Sequence, residues 1–163
     1  MGHTGMPPAV GETAPEFEAL LCNGETFRPT GLSDALGPRG AVLVFDGFVF
    51  SAIAQNWWTR YETFGWGGFD GVPVYGVVRD GPYSINEFLR QLESPFSMFS
   101  DLNGGVAEAY ELLVEREGMA GTKTARRAVF VLGSDGTVRH AWDTDEWIYP
   151  VPREEVEAAV AEL

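Results

Sequence analysis

Cysteine and lysine are almost missing from this chain of 163 residues. Cys22 is the only cysteine, which excludes an intramolecular disulfide and a cysteine-based metal cluster. The two histidines, His3 and His140, lie far apart in sequence, and a zinc site needs several convergent N or S ligands. No metal and no cofactor is expected. Lys123 is the only lysine; the other ten basic residues are arginines, set against 24 acidic residues for a net charge of −13. With no basic patch to meet phosphates, nucleic-acid binding is not expected. Long apolar runs are missing too. The longest, such as 41–45, are strand-sized and far short of the ~20 residues of a membrane helix. The first residues show neither a basic n-region nor an apolar h-region, so a cytoplasmic protein is expected.

An acidic surface with almost no lysine suits a protein that stays hydrated in molar salt. Screening there has a Debye length of about 3 Å, so self-repulsion costs little. The composition reads as that of a halophile protein from a GC-rich genome, with an ordinary acidic protein as the alternative. The 45% hydrophobic content is that of a globular chain, and the length fits one domain. A Gly/Pro-rich stretch over 1–9 reads as a loose tail, leaving 10–163 as the domain.

Two extended segments around Asn23-Gly24 predict a β-hairpin with a type I′ turn. The apolar run 41–45, bounded by Gly40 and Gly47, predicts a central buried strand. From Phe50 to Phe64 the spacing turns helical: Phe50, Ile53, Ala54, Trp57, Trp58, Tyr61 and Phe64 share one face. Ser51 is the candidate N-cap. Further segments predict a strand over 72–78, a helix over 81–93, a short strand over 96–99 and a helix over 106–114. A hairpin over 127–142 turns at Gly133-Ser-Asp-Gly136, and a helix over 152–163 ends the chain. The strand–helix alternation argues for a parallel core and the last hairpin for added antiparallel strands. The fold class is α/β, a mixed central sheet with helices on both faces and an N-terminal hairpin.

The order of several segments resembles the peroxiredoxin family, the alkyl-hydroperoxide-reductase/thiol-specific-antioxidant branch of the thioredoxin fold. Val10-Gly-Glu-Thr-Ala-Pro-Glu-Phe17 resembles the family's opening Val-Gly-x-x-Ala-Pro-Asp-Phe. Pro95-Phe-Ser-Met-Phe-Ser-Asp101 resembles its Pro-Phe-x-Leu-Leu-Ser-Asp segment. Arg127-Ala-Val-Phe-Val-Leu-Gly-Ser-Asp-Gly136 resembles Arg-x-x-Phe-x-Ile-Asp-x-x-Gly. The resemblance covers roughly 10–160 and implies a thioredoxin-like fold, a thiol peroxidase ancestry and a homodimer formed beside the active-site loop.

The active-site loop departs from the family pattern, Pro-x-x-x-Thr-x-x-Cys at the start of a helix. The aligned residues are Gly47, Ser51 and Ala54. The thiolate that attacks the peroxide O–O bond becomes a sulfenic acid, and the resemblance implies that Arg127 would lower its pKa. Ser51 keeps a hydroxyl and Arg127 keeps a charge, but a methyl group at Ala54 has no nucleophile. Gly47, Ser51, Ala54 and Arg127 therefore read as a vestigial site with no catalytic residue intact. Joint departure at Gly47, Ser51 and Gln55-Asn-Trp-Trp58 favours a natural alanine over an engineered change. Cys22, well before the helix, is the only substitute thiol, and a lone cysteine is usually a small buried hydrophobe.

Phe48, Trp57, Trp58 and Trp66 belong to an aromatic-rich stretch over 48–69. Some must pack in the core, but Trp is seldom fully buried, so a hydrophobic surface for a second copy or a protein partner is expected there. Asp143, Asp145 and Glu146 read as a solvated acidic face. The preferred function is a non-catalytic, dimeric binding or regulatory homologue of thiol peroxidases. The alternatives are a thiol peroxidase that uses Cys22 or carries an engineered alanine, and a structural subunit of a larger assembly.

Overall fold

Six consecutive buried residues, Gly40–Phe45, form the central strand β3. An unbroken apolar run suits a strand covered on both faces. Residues 5–163 are described by the structure, a computed structural model; residues 1–4 of the expected tail lie outside them.

The sheet has seven strands in the order β2-β1-β5-β4-β3-β8-β9. β1 (Glu18–Cys22) and β2 (Phe27–Gly31) are the N-terminal hairpin. β4 (Val74–Val78) and β5 (Ser97–Ser100) run parallel to β3. β8 (Arg127–Gly133) and β9 (Val138–Thr144) add the antiparallel edge. Gly40 is fixed by sterics: its φ is +139°, and a Cβ there would lie 2.0 Å from the Leu132 carbonyl oxygen.

Alternation along β3 divides the core in two. Val42 and Val44 face α2 (Ala52–Thr63), α3 (Pro82–Leu92) and α5 (Arg153–Ala161). Leu43 and Phe45 face α1 (Leu32–Ala35) and α4 (Gly105–Ala109). The mixed sheet with helices on both faces and an N-terminal hairpin is as the sequence predicts.

Two local readings are corrected. The first hairpin closes through four residues, not a two-residue type I′ turn. Cys22 pairs with Phe27, and the Asn23 side chain organises the loop by accepting from the Glu25 and Thr26 amides at 2.9 and 2.8 Å. The helix expected over 106–114 stops at Ala109, because Glu111 turns left-handed (φ 59°) and the Leu112 amide bonds back to the Ala107 carbonyl. The residues after it form a second small sheet, β6 (Leu113–Glu115) against β7 (Lys123–Ala125).

Candidate functional site

The chain leaves β3 at Asp46 and enters α2 at Ser51, at the carboxyl ends of the parallel strands, the usual site position in such sheets. The loop is pinned by backbone bonds. The Asp46 amide donates to the Val77 carbonyl, and the Arg79 amide to the Gly47 carbonyl, both at 3.1 Å. Asp80 Oδ2 accepts from the Val49 amide at 2.9 Å. Burial raises the pKa of Asp80 above the ordinary carboxylate value.

Ser51 is the N-cap of α2. Its Oγ accepts from the Ala54 amide at 3.1 Å and donates to the Phe48 carbonyl at 2.9 Å. The hydroxyl is thereby committed to the helix start. Ala54 follows in the first turn and is completely buried. Gly47 stands where the family pattern has proline, yet nothing crowds it: the nearest atom to a Cβ there is Thr124 Oγ1 at 3.9 Å. Its amide instead donates to Asp46 Oδ1 at 2.8 Å, a bond proline could not make.

Arg127 leaves β8 beneath this loop and is 6% exposed. One guanidinium nitrogen, Nη1, donates to the Glu146, Trp147 and Tyr149 carbonyls at 2.9, 3.1 and 2.7 Å. The guanidinium also lies over the rings of Trp57 and Trp142, 4.4 and 5.5 Å from their centroids. Nη2 has no partner. Asp46 is equally buried, and desolvation raises its pKa against the lowering effects of the Gly47 amide, Arg127 and Trp58.

Asp46, Gly47, Ser51 and Arg127 share one cavity of about 200 Å³. Its apolar wall includes Phe48, Ile53, Met119 and Trp147. At the rim, Arg116 is bound to Asp145 at 2.7 Å and to Thr124 Oγ1 at 2.7 Å. The structure thus brings Gly47, Ser51 and Arg127 together beside the helix start that carries Ala54. Asp46, Met119 and Trp147 are additions that sequence reasoning missed. The apolar triplet Trp147-Ile-Tyr149 in an acidic segment was the only signal for the last of them.

The aromatic surface expected from Trp57, Trp58 and Trp66 is corrected, because all three rings lie in the core at 6%, 1% and 1% exposure. Tyr61 stacks on Trp66 at 4.8 Å and meets Trp58 edge-on at 5.1 Å. The Trp66 indole donates to Glu157 Oε2 at 3.0 Å, and the Trp57 indole to the Trp147 carbonyl at 3.3 Å. Polar tips that find internal partners let the rings of Trp57 and Trp66 be buried, whereas the Trp58 indole nitrogen has no hydrogen-bond partner among the described residues. Phe48 is half-buried, and Phe50, Trp147, Ile148 and Tyr149 are the exposed apolar residues of this end.

Cys22 is also buried, and desolvation pushes its thiol up to about 11. It pairs with Met98, which pairs with Gly76, which pairs with Val44. Three strand spacings put it roughly 14 Å across the sheet from β3. No group of His, Cys, Asp and Glu able to hold a metal ion occurs among the described residues.

The AhpC/TSA family model matches residues 10–141. No curated protein matches the chain. Among solved structures, the reduced 2-Cys peroxiredoxin of Plasmodium vivax superposes with a TM-score of 0.76 at 18% identity, covering 94% of this chain and 95% of that one. AhpC of Mycobacterium tuberculosis gives 0.76 at 17% identity, covering 96% and 99%. A peroxiredoxin-like protein from Aquifex aeolicus gives 0.75 at 21% identity, covering 96% and 90%. With the family pattern extending over most of its length on a matching thioredoxin-like fold, this chain belongs to the AhpC/TSA family, the peroxiredoxins, and has alanine rather than cysteine at the start of α2.

Proposed function

We propose that this protein is a non-catalytic peroxiredoxin homologue, a cytoplasmic binding or regulatory module that uses the cavity beside α2. The observation that carries the reading is the state of each group around Ala54. The residue itself has no nucleophile, the Ser51 hydroxyl is held in the helix cap, and Nη1 of Arg127 is held by three carbonyls. Cys22 is no substitute, because a thiol raised to about 11 is almost wholly protonated near neutral pH and its side chain does not reach solvent. The experiment is hydrogen peroxide consumption with a thiol reductant in high salt. The native chain is expected to match the protein-free rate. Turnover by the native chain that disappears in Cys22→Ser would overturn the reading.

The protein is further proposed to act as a homodimer. The support is exposed apolar residues next in sequence to cavity-lining ones: Phe50, 42% exposed, precedes Ser51, and Ile148, 79% exposed, follows Trp147, in a strongly acidic chain. Sedimentation in molar salt is expected to give twice the chain mass, and Ile148→Asp to reduce it. A native monomer at all concentrations would contradict this.

A further inference from the structure

We infer that the cavity beside α2 binds a small apolar monocarboxylate, a compact hydrocarbon body with one anionic head, and that Arg127 takes the head. The inference rests on the reading of this site as a binding pocket without thiol chemistry, and adds the chemical class of its ligand.

The polar side chains of the wall are engaged inside the fold, with one exception. The Ser51 hydroxyl is committed to the helix cap. Thr124 Oγ1 accepts from Arg116 Nε at 2.7 Å, and Thr144 Oγ1 from the Glu146 amide at 3.1 Å. Arg116 also donates to Asp145 Oδ1 at 2.7 Å and to the Ala125 carbonyl at 2.8 Å, which makes a neutral pair. Asp46 Oδ1 accepts from the Gly47 amide at 2.8 Å, and desolvation favours the uncharged form of that carboxyl. Arg127 is the exception. Its guanidinium is always ionised, it is 6% exposed, and its Nη2 has no partner. No carboxylate forms an ion pair with it among the described residues. Three carbonyls and two indole rings stabilise it, but none of them carries a net charge, and a buried cation without an anion is costly. What the site lacks is one negative charge and one hydrogen-bond acceptor, and a carboxylate supplies both.

The rest of the wall selects the body. Phe48, Ile53, Met119, Ala125 and Trp147 face the cavity with hydrocarbon, a thioether and aromatic rings, the usual lining of a small-molecule site with few polar groups. The cavity holds about 200 Å³. A dry apolar cavity of about 150 Å³ holds one benzene, so there is room for a single ring with its carboxylate. Phosphate and sulfate match the head but carry excess charge against an apolar wall, which leaves it unpaired. A hydrocarbon without a head fills the wall but leaves the Arg127 charge as it was.

The test is calorimetric titration of the folded native chain in molar salt with cyclohexanecarboxylate, cyclohexanecarboxamide and acetate. Cyclohexanecarboxylate is expected to bind once per chain. The amide and acetate are each expected to bind at least about tenfold more weakly, the first for want of the charge and the second for want of the body. An amide that binds as well as the acid means that Arg127 takes no anionic head. Acetate binding as tightly means an anion site without the cavity. Either result, or no saturable binding of cyclohexanecarboxylate, overturns the proposal. Two variants locate the site. Met119→Trp, at a position 37% exposed, fills the cavity from its loop and is expected to abolish binding; undiminished binding overturns the proposal. Arg127→Gln is expected to reduce the acid to the affinity of the amide, and should that variant fail to fold, the acid–amide pair on the native chain still decides. Peroxide consumption by the native chain tests the absence of thiol chemistry separately, whatever the titrations give.

Discussion

Replacing Ser51 with alanine separates a helix cap from a catalytic hydroxyl. The serine Oγ makes two bonds, accepting from the Ala54 amide and donating to the Phe48 carbonyl. The second loss is cushioned, because the Ser51 amide already donates to that carbonyl at 3.2 Å. The cost then falls mainly on the uncapped Ala54 amide, which sits on a completely buried residue with little access to water. An N-cap serine is worth about 1 kcal/mol. For a domain of this size, 1 kcal/mol moves Tm by roughly 2–4 °C. Calorimetry in molar salt is expected to show that drop for Ser51→Ala and none for Ser51→Asp, which keeps an acceptor and places a charge at the positive end of α2. An alanine variant as stable as the native chain, with an aspartate variant less stable, would refute the capping role.

Four further outcomes follow from the packing and charge of the fold. Gly76→Ala places a Cβ 2.8 Å from Met98 Cγ and 2.9 Å from Trp58 Cζ2; the thioether can shift but the buried indole cannot, so urea unfolding is expected to show a loss of about 1–3 kcal/mol. Cys22 is expected to resist iodoacetamide at mildly alkaline pH until the chain is unfolded, since burial holds its thiol near 11; rapid labelling of the folded protein would contradict its burial. Asp46 has a folded pKa above its ordinary 3.8, so the unfolded chain releases that proton first. The native protein is therefore expected to lose stability relative to Asp46→Asn as pH rises from about 4 through the folded value, and to recover it on acidification. The net charge of −13 predicts that Tm rises between dilute buffer and molar potassium chloride as self-repulsion is screened; a Tm that falls or stays level would contradict adaptation to salt.

Much of the fold could be read because one signal dominated each element. β3 is an uninterrupted apolar run, α2 has a helical stripe behind a serine cap, and the last hairpin has a Gly133-Ser-Asp-Gly136 turn whose Gly136 is left-handed at φ 83°. The small sheet of β6 and β7 was hidden because Leu112-Leu-Val114 fits a helical stripe as well as a strand. What decides between them is the backbone reversal at Glu111, and glutamate is no marker of positive φ. The tryptophans were misplaced for a related reason: composition gives the size of a ring, while the acceptor that lets its N–H be buried lies far along the chain, on Glu157 or Trp147. The site was half legible. Gly47, Ser51, Ala54 and Arg127 follow from a local pattern and one strand. Asp46 closes an apolar strand and reads as a boundary residue, and its place in one cavity wall with Arg127 comes from the pairing of β3 with β8.

The central claim is that this peroxiredoxin fold does no thiol chemistry on peroxide. Intact mass of the folded native chain after exposure to hydrogen peroxide in high salt tests it most directly, because it reads the only sulfur that could react as a cysteine. The account predicts that Cys22 stays a thiol, recovered by labelling only after unfolding. A sulfenic or disulfide form of Cys22 appearing in step with peroxide loss would contradict it.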